Sequence, residues 1–324
     1  MKLLNLDYKD FPAQSITELK SDGIEIFDSY ELSIHSNEDL EFHLGKFQYD
    51  IIIMRLGYEL TTSMLTSQST LKYIVSATTG HNHLNEIELK ARGIKLISLK
   101  GEVEFLNNIQ STSEHVWALL LNICKKITKA NKILDSGKWQ RDELKGYELN
   151  SKTLGVIGYG RLGKRVVKYG EAFSMNIKTF DINAERHYQS PYKIDLKSLI
   201  ELSDVIILLI DFRESNRNFF NQEKFGRMKD KTIFINCSRG ECVDESALLE
   251  YLKSDKMFGC GLDVLDQDSS WKNWPKDHEI INLSREKANI IITPHIGGYS
   301  DFSIEQTRGF ITKKLLKQIN NGKS

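Results

Sequence analysis

Three residues in the second half of the chain carry side chains suited to proton and anion chemistry. They are Arg239 in INCSRG, Asp268 shortly after Asp263-Val264, and His295 in TPHIGG. A histidine titrates near an unperturbed pKa of about 6.5, so it gives and takes protons near neutrality. The planar donor fork of an arginine matches a carboxylate. A carboxylate beside an imidazole fixes its tautomer and raises its pKa. Singly, each residue reads as a loop arginine, a solvated acid or a structural histidine. Together they supply what is needed to move a hydroxyl proton and hold the oxygens of a small acid. Each also follows an apolar run of strand length. That places all three at carboxyl ends of strands in one sheet, where open α/β sheets gather ligands.

A second constellation lies upstream, from Ser151 to Asn183. The apolar run Thr153-Leu154-Gly155-Val156-Ile157 leads into Gly158, Gly160 and Gly163, spaced G-x-G-x-x-G. A helical pattern follows, then the strand Ile177-Lys178-Thr179-Phe180 and the acid Asp181. This is the order of a dinucleotide-binding unit. Gly158 makes the tight turn, Gly160 lets a pyrophosphate approach the backbone, and Gly163 lets the helix pack close to the sheet. The first N–H groups of the helix, at Arg161 and Leu162, face the phosphates. Asp181 is placed to accept the ribose hydroxyls of NAD and to repel the extra phosphate of NADP. The competing reading is a glycine turn in another kind of α/β domain.

The rest of the chain must position these groups. The first hundred residues alternate strand and helix, with strands near Leu3–Leu6, Ile24–Phe27, Ile51–Met54, Leu71–Ser76 and Ile94–Leu99. That pattern predicts a small, doubly wound parallel sheet. Residues 101–108 read as a loop. Ser111 and Glu114 have capping-box spacing at the head of a long helix to Lys126, with Trp117, Leu120, Leu121 and Cys124 as its apolar stripe. After Asp181 the alternation resumes, giving six strands and two mononucleotide-binding halves in the second sheet. Thr79 and Gly80 sit just past a strand of the first sheet, in what by itself reads as an ordinary strand-to-helix turn, though such a turn can offer successive N–H groups to a carboxylate. His81 and His83 form an H-x-H pair with no third ligand at matching spacing, so no metal is expected.

Composition narrows the partners. The chain has 324 residues, with Lys+Arg and Asp+Glu both 44 and zero net charge, which gives no global case for nucleic acid or an anionic membrane. No apolar run reaches the roughly 18 residues of a membrane span, and the charged start lacks a secretory core. Cys124, Cys237, Cys242 and Cys260 have neither metal nor redox spacing, which fits reduced thiols in a cytoplasm.

Four stretches taken together resemble the D-isomer-specific 2-hydroxyacid dehydrogenases, which include phosphoglycerate, D-lactate and glycerate dehydrogenases. They are Leu144-Lys145-Gly146 with TLGVIGYGRLGKRVV, INCSRGECVDESAL, GLDV and TPHIGG. The resemblance implies an NAD-dependent oxidoreductase that transfers a hydride between nicotinamide and C2 of a small D-2-hydroxy or 2-keto acid. It implies a Rossmann-type, doubly wound cofactor domain over residues 109–298. This is inserted in a smaller flavodoxin-like α/β substrate domain, made of residues 1–108 and a returning C-terminal helix at 299–324. By the same resemblance Arg239 binds the substrate carboxylate and carbonyl, and His295 is the general acid/base. Thr79 and Gly80 cradle the carboxylate, Cys237 and Asp263 lie near the nicotinamide, and the chain dimerises through the cofactor domain.

Two departures bear on this expectation. The family pattern has Glu then Pro after the D-V-x-x-x run, whereas here Asp268-Ser269 follows. An Asp is shorter by one bond, roughly 1.5 Å. It meets His295 if the loop moves in or through a water, and Asp266 is a second candidate in a different register. A Glu at position 268 is then expected to preserve or improve activity. Leu209-Ile210-Asp211 also replaces a His-x-Pro. Trp271 and Trp274, just beyond Asp268, either roof the substrate or pack the loop. These departures leave a second class of function open: an NAD(H)-binding regulator with vestigial catalysis. Specificity is expected from the first domain, with Arg55, His81 and Glu104 as candidates.

Overall fold

A computed structural model of the chain describes residues 1–81, 84–268 and 276–322. His83, Trp271 and Trp274, and with them the H-x-H pair and the substrate roof, lie outside the described residues. The chain divides into two units, one built from Met1–Ile109 with Tyr299–Ser324, the other from Gln110–Asp268 with Pro275–Gly298.

The first unit begins as five βα repeats: β1 (Lys2–Asn5), α1 (Ala13–Ser21), β2 (Glu25–Asp28), α2 (Asn37–Leu44), β3 (Ile51–Met54), α3 (Thr62–Ser67), β4 (Tyr73–Ser76), α4 (Glu86–Ala91), β5 (Lys95–Ser98) and α5 (Val103–Leu106). The strands are all parallel, in the order β2-β1-β3-β4-β5, which is the flavodoxin-like order. Ile51-Ile52-Ile53-Met54 is buried on both faces, as a strand covered by helices above and below must be. Gly23 and Gly93, at φ +78° and +72°, end α1 and α4 in the left-handed cap that turns each helix into the next strand. Residues 101–108, expected as loop, contain α5. Four residues are too few to declare a helical period.

The second unit starts with two helices, α6 (Ser111–Lys125) and α7 (Ile127–Asp135). Then follow β6 (Thr153–Ile157), α8 (Arg161–Ala172), β7 (Asn176–Phe180), α9 (Ala184–Gln189), α10 (Leu196–Leu202), β8 (Val205–Leu208), α11 (Gln222–Gly226), β9 (Ile233–Asn236), α12 (Glu245–Lys253), β10 (Gly259–Leu262), α13 (Glu279–Glu286) and β11 (Ile290–Ile292). The strands are parallel, in the order β7-β6-β8-β9-β10-β11. One further position completes the pattern. Lys193 forms a single parallel bridge to Thr179 on the outer side of β7. With that bridge as a vestigial third strand, β6 and β8 flank the point where the order reverses, as in a dinucleotide-binding sheet. β8 is therefore the fourth position of the sheet rather than the third. A one-residue strand leaves no period-2 signature to read. The core joins Val116, Trp117, Leu120 and Ile123 of α6 to Val156, Val166, Ile207 and Ile235.

The last helix, α14 (Asp301–Asn321), belongs to the first unit. Its Ile311, Leu315 and Ile319 share a core with Leu3, Ile51 and Ile53. Among the described residues no helix is long and apolar enough to cross a membrane.

Candidate active site

The glycine turn follows β6. Gly158 adopts φ +106°, and a Cβ there would lie 2.5 Å from the Leu209 carbonyl oxygen. A Cβ on Gly163 would lie 1.9 Å from the Gly158 oxygen. The fold itself requires both glycines. Gly160 differs: a Cβ there meets only the Arg186 guanidinium at 3.6 Å, an ordinary contact. Packing within the chain does not require this glycine, whereas close approach of a pyrophosphate does. Gly160 is also the N-cap of α8, so the N–H groups of Arg161 and Leu162 open the helix behind it. Burial, assisted by the nearby Arg165 charge, lowers the pKa of the Arg161 guanidinium.

Asp181 directly follows β7 and is buried. Its Oδ2 accepts the Tyr159 N–H at 2.7 Å, its Oδ1 accepts the Asn183 N–H at 2.8 Å, and Arg186 Nη1 stands 4.0 Å away. The carboxylate thus braces the glycine turn. Each oxygen keeps a lone pair for a ribose hydroxyl. The residues present fit the adenosine and pyrophosphate halves of NAD.

Asn236 at the end of β9 organises the arginine loop. Its Oδ1 accepts from Ser238 N and Oγ at 3.0 and 2.6 Å, and its Nδ2 donates to the Arg239 carbonyl at 3.1 Å. Arg239 Nη1 donates to the Ser238 carbonyl at 2.6 Å. The next residue, Gly240, is pressed against the loop after β10: a Cβ would sit 1.9 Å from the Leu265 carbonyl carbon. That second loop leads to Asp268, whose Oδ2 lies 3.0 Å from His295 Nδ1. The loops of Arg239, Asp268 and His295 are therefore joined by successive contacts. At 3.0 Å the Asp268–His295 pair is within ion-pair range, yet neither atom has a partner in hydrogen-bond geometry. It is a close contact with the N–H direction off line. The shorter acid reaches the imidazole without a bridge. Asp266 faces elsewhere: its Oδ1 is 3.7 Å from Arg217, and its N–H donates to Glu245 at 2.7 Å.

His295 has φ +55°, a left-handed conformation that costs a non-glycine residue roughly 1–2 kcal/mol. Such strain persists where surrounding contacts over-determine it. Here its N–H is shared by the Asp263 and Thr293 carbonyls, both at 2.9 Å. Asp263 is buried and close to Cys237. Burial alone raises the Asp263 pKa. Hydrogen bonds from His115 and Thr293, the His115 charge and the Gly297 N–H outweigh it, and the carboxyl ends below its usual range. Burial, then the Asp263 charge, pushes the Cys237 thiol well up, so it is a neutral wall rather than a nucleophile.

Sequence reasoning assigned no role to His115 and Thr293, and it gave Ser111 the wrong one. Gln110, not Ser111, is the N-cap of α6, and no capping box forms. The Ser111 hydroxyl instead donates to the Gly297 carbonyl at 2.8 Å. The i, i+4 spacing of Ser111 and His115 was the available signal. Both have partners more than 170 residues away, which no local pattern reveals.

In the first unit, Thr79 is exposed in the turn after β4. The Gly80 carbonyl accepts from Thr78 Oγ1 at 2.8 Å. His81 is buried, with Nδ1 2.8 Å from Glu86, which also pairs with Lys100 at 2.8 Å. Among the described residues no set of three His, Cys, Asp or Glu side chains is grouped to hold a metal.

Comparison with known proteins defines the class. Residues 117–297 match the family model described as "D-isomer specific 2-hydroxyacid dehydrogenase, NAD binding domain". The chain belongs to that family of NAD-dependent oxidoreductases. A hydroxypyruvate reductase from Thermotoga maritima is 32% identical over 84% of this chain and 85% of its own length. A D-3-phosphoglycerate dehydrogenase from Methanocaldococcus jannaschii is 29% identical over 94% of this chain, which spans only 56% of that protein. A crystal structure of D-lactate dehydrogenase from Aquifex aeolicus with NAD and lactic acid is 26% identical. It superposes at a TM-score of 0.80 over 99% of this chain and 96% of that one.

Proposed function

We propose that the chain interconverts a small 2-keto acid and its D-2-hydroxy acid, with His295 as the proton carrier, Arg239 as the holder of the carboxylate and carbonyl oxygens, and Asp268 as the group that orients the imidazole. The observation that carries this reading is the 3.0 Å contact between His295 Nδ1 and Asp268, in a loop stacked on the arginine loop. NAD(H), when bound, supplies or accepts the hydride. The chain's own residues do the rest. With Asp268 at Nδ1, the ring presents Nε2 to the substrate oxygen and gives it a proton during reduction. Arg239 neutralises the charge on the substrate oxygens and fixes their plane. In the first unit, Thr79 and Gly80 in the turn after β4 are the candidates for binding a carboxylate. Cys237 and Asp263 line the nicotinamide pocket.

Arg55 supports a substrate with a second anionic group. It follows β3 at the point where the first sheet reverses order, and among the described residues it has no carboxylate within ion-pair distance. The first unit, 1–108 with 299–324, then acts as the substrate domain, and 109–298 as the cofactor domain. A homodimer formed through the cofactor domain is supported by α7, which buries none of its residues, and by the exposed Ile127, Leu134 and Trp139. A cytoplasmic setting is supported by four free cysteines.

The decisive experiment follows NADH oxidation against a panel of 2-keto acids with and without a second anionic group. His295→Ala is expected to cut turnover by roughly 10²–10⁴ while NADH still binds. Binding of NADH without its oxidation by any keto acid would instead favour the regulatory protein.

A further inference from the structure

The loop that carries His295 is folded around one buried carboxylate. Asp263 Oδ1 accepts from Thr293 Oγ1 at 2.7 Å and from the Ile296 N–H at 2.9 Å, and its Oδ2 accepts from the Gly297 N–H at 2.7 Å. The Asp263 carbonyl accepts the His295 N–H at 2.9 Å. The left-handed His295 sits in the middle of this wrap. These donors belong to the loop itself, so they tie it to Asp263 but do not fix where Asp263 points.

A different element does that. His115 Nε2 lies 3.2 Å from Asp263 Oδ1 and 2.9 Å from Thr293 Oγ1. Because the Thr293 hydroxyl donates to Asp263, the pattern closes when Nε2 of His115 carries a proton and donates to both oxygens. Ser111 lies one turn earlier on the same face of α6 and holds the Gly297 carbonyl at 2.8 Å. The helix behind these two side chains is anchored in the core by Val116, Trp117, Leu119 and Leu120. It presses close on β10, where a Cβ on Gly261 would lie 3.2 Å from the Leu119 Cβ. A buried helix therefore grips the loop at both ends, Thr293 through His115 and Gly297 through Ser111.

We propose that His115 is a positioning residue for His295. It holds the Asp263 carboxylate and the Thr293 hydroxyl in one place, and so fixes the strained backbone from which the His295 imidazole is aimed. Ser111 secures the far end of the same loop. This rests on the reading of His295 as proton carrier. A misaimed imidazole slows the proton step more than it weakens binding.

The test compares His115→Leu, which cannot donate, with His115→Gln, whose amide N–H falls near the Nε2 position. Both are assayed in the full-length protein with NADH and the fastest keto acid of the panel. We expect His115→Leu to lower kcat roughly ten- to hundredfold with little change in KM. His115→Gln is expected to recover most of that loss at a similar melting temperature. Amide hydrogen exchange at Ile296 and Gly297 should accelerate in the leucine variant and not in the glutamine variant. Wild-type kcat in His115→Leu, or a glutamine variant as slow as the leucine one, would overturn the proposal. If the unsubstituted protein reduces no keto acid, the functional reading fails on that result alone. The exchange comparison then still decides whether His115 holds the loop: unchanged protection in His115→Leu overturns it.

Discussion

Asp268 stands where the family pattern carries a glutamate, and its contact with His295 sets a tight tolerance. The carboxyl oxygen is already 3.0 Å from Nδ1, so there is no gap for another methylene to fill. A glutamate adds roughly 1.5 Å of reach and must push the ring or the loop aside. We therefore expect Asp268→Glu to lower kcat, reversing the expectation that length alone suggested. Asp268→Asn keeps the shape and loses the charge, and should fall by roughly tenfold or more. Single-turnover reduction followed at the NADH absorbance measures both. A glutamate variant faster than the wild type would mean that the direct contact is not the working arrangement. At this scale the sequence displays the type of a side chain, and type alone singles out Arg239, His295 and Asp181 as candidates. It was silent on His115 and Thr293, whose contacts with each other and with Asp263 exist only once the chain is folded.

The glycine turn and α8 divide into residues that the fold needs and one that it does not. Gly158→Ala and Gly163→Ala drive a methyl into carbonyl oxygens, at 2.5 and 1.9 Å. Overpacking of that kind costs about 1–3 kcal/mol. Gly160→Ala meets nothing closer than 3.6 Å. Thermal melts should therefore show a loss of stability for the first two variants and almost none for Gly160→Ala. NADH titration should show weakened binding for Gly160→Ala, because its methyl enters the path of the pyrophosphate. A Gly160→Ala protein that binds NADH like the wild type would remove the phosphates from that turn. Elements were readable in proportion to what they bury. β3 and β8 announce themselves as unbroken apolar runs, and α8 and α12 through their core-facing residues. α7 sets Ile127, Ala130, Ile133 and Leu134 at helical spacing but buries none of them, and α9 likewise buries no residue. α3 and α13 bury only two residues each, Met64 with Leu65 and Ile280 with Ile281, too few to establish a period.

Across the whole molecule, two parallel sheets repeat one plan: a first strand, a second on its outer side, and the rest on its inner side. Both place their loops of interest at carboxyl ends, and both seal their interiors from solvent. The cysteines report on that seal. Burial pushes the thiols of Cys124 and Cys242 up to about 12, and moves those of Cys237 and Cys260 upward as well. At pH 8 a thiol titrating near 12 is about 10⁻⁴ ionised, and the thiolate is the reactive form. The native protein should therefore resist a disulfide reagent at that pH, and all four thiols should titrate once guanidinium unfolds the chain. Cys237 is the informative exception to watch. It directly follows β9 and begins the loop that carries Arg239, so selective labelling there would mean that the arginine loop opens in solution. Saturation with NADH should then slow that labelling, since the same loop would close against the nicotinamide. Rapid labelling of all four thiols in the native state would contradict the sealed cores on which both sheets depend.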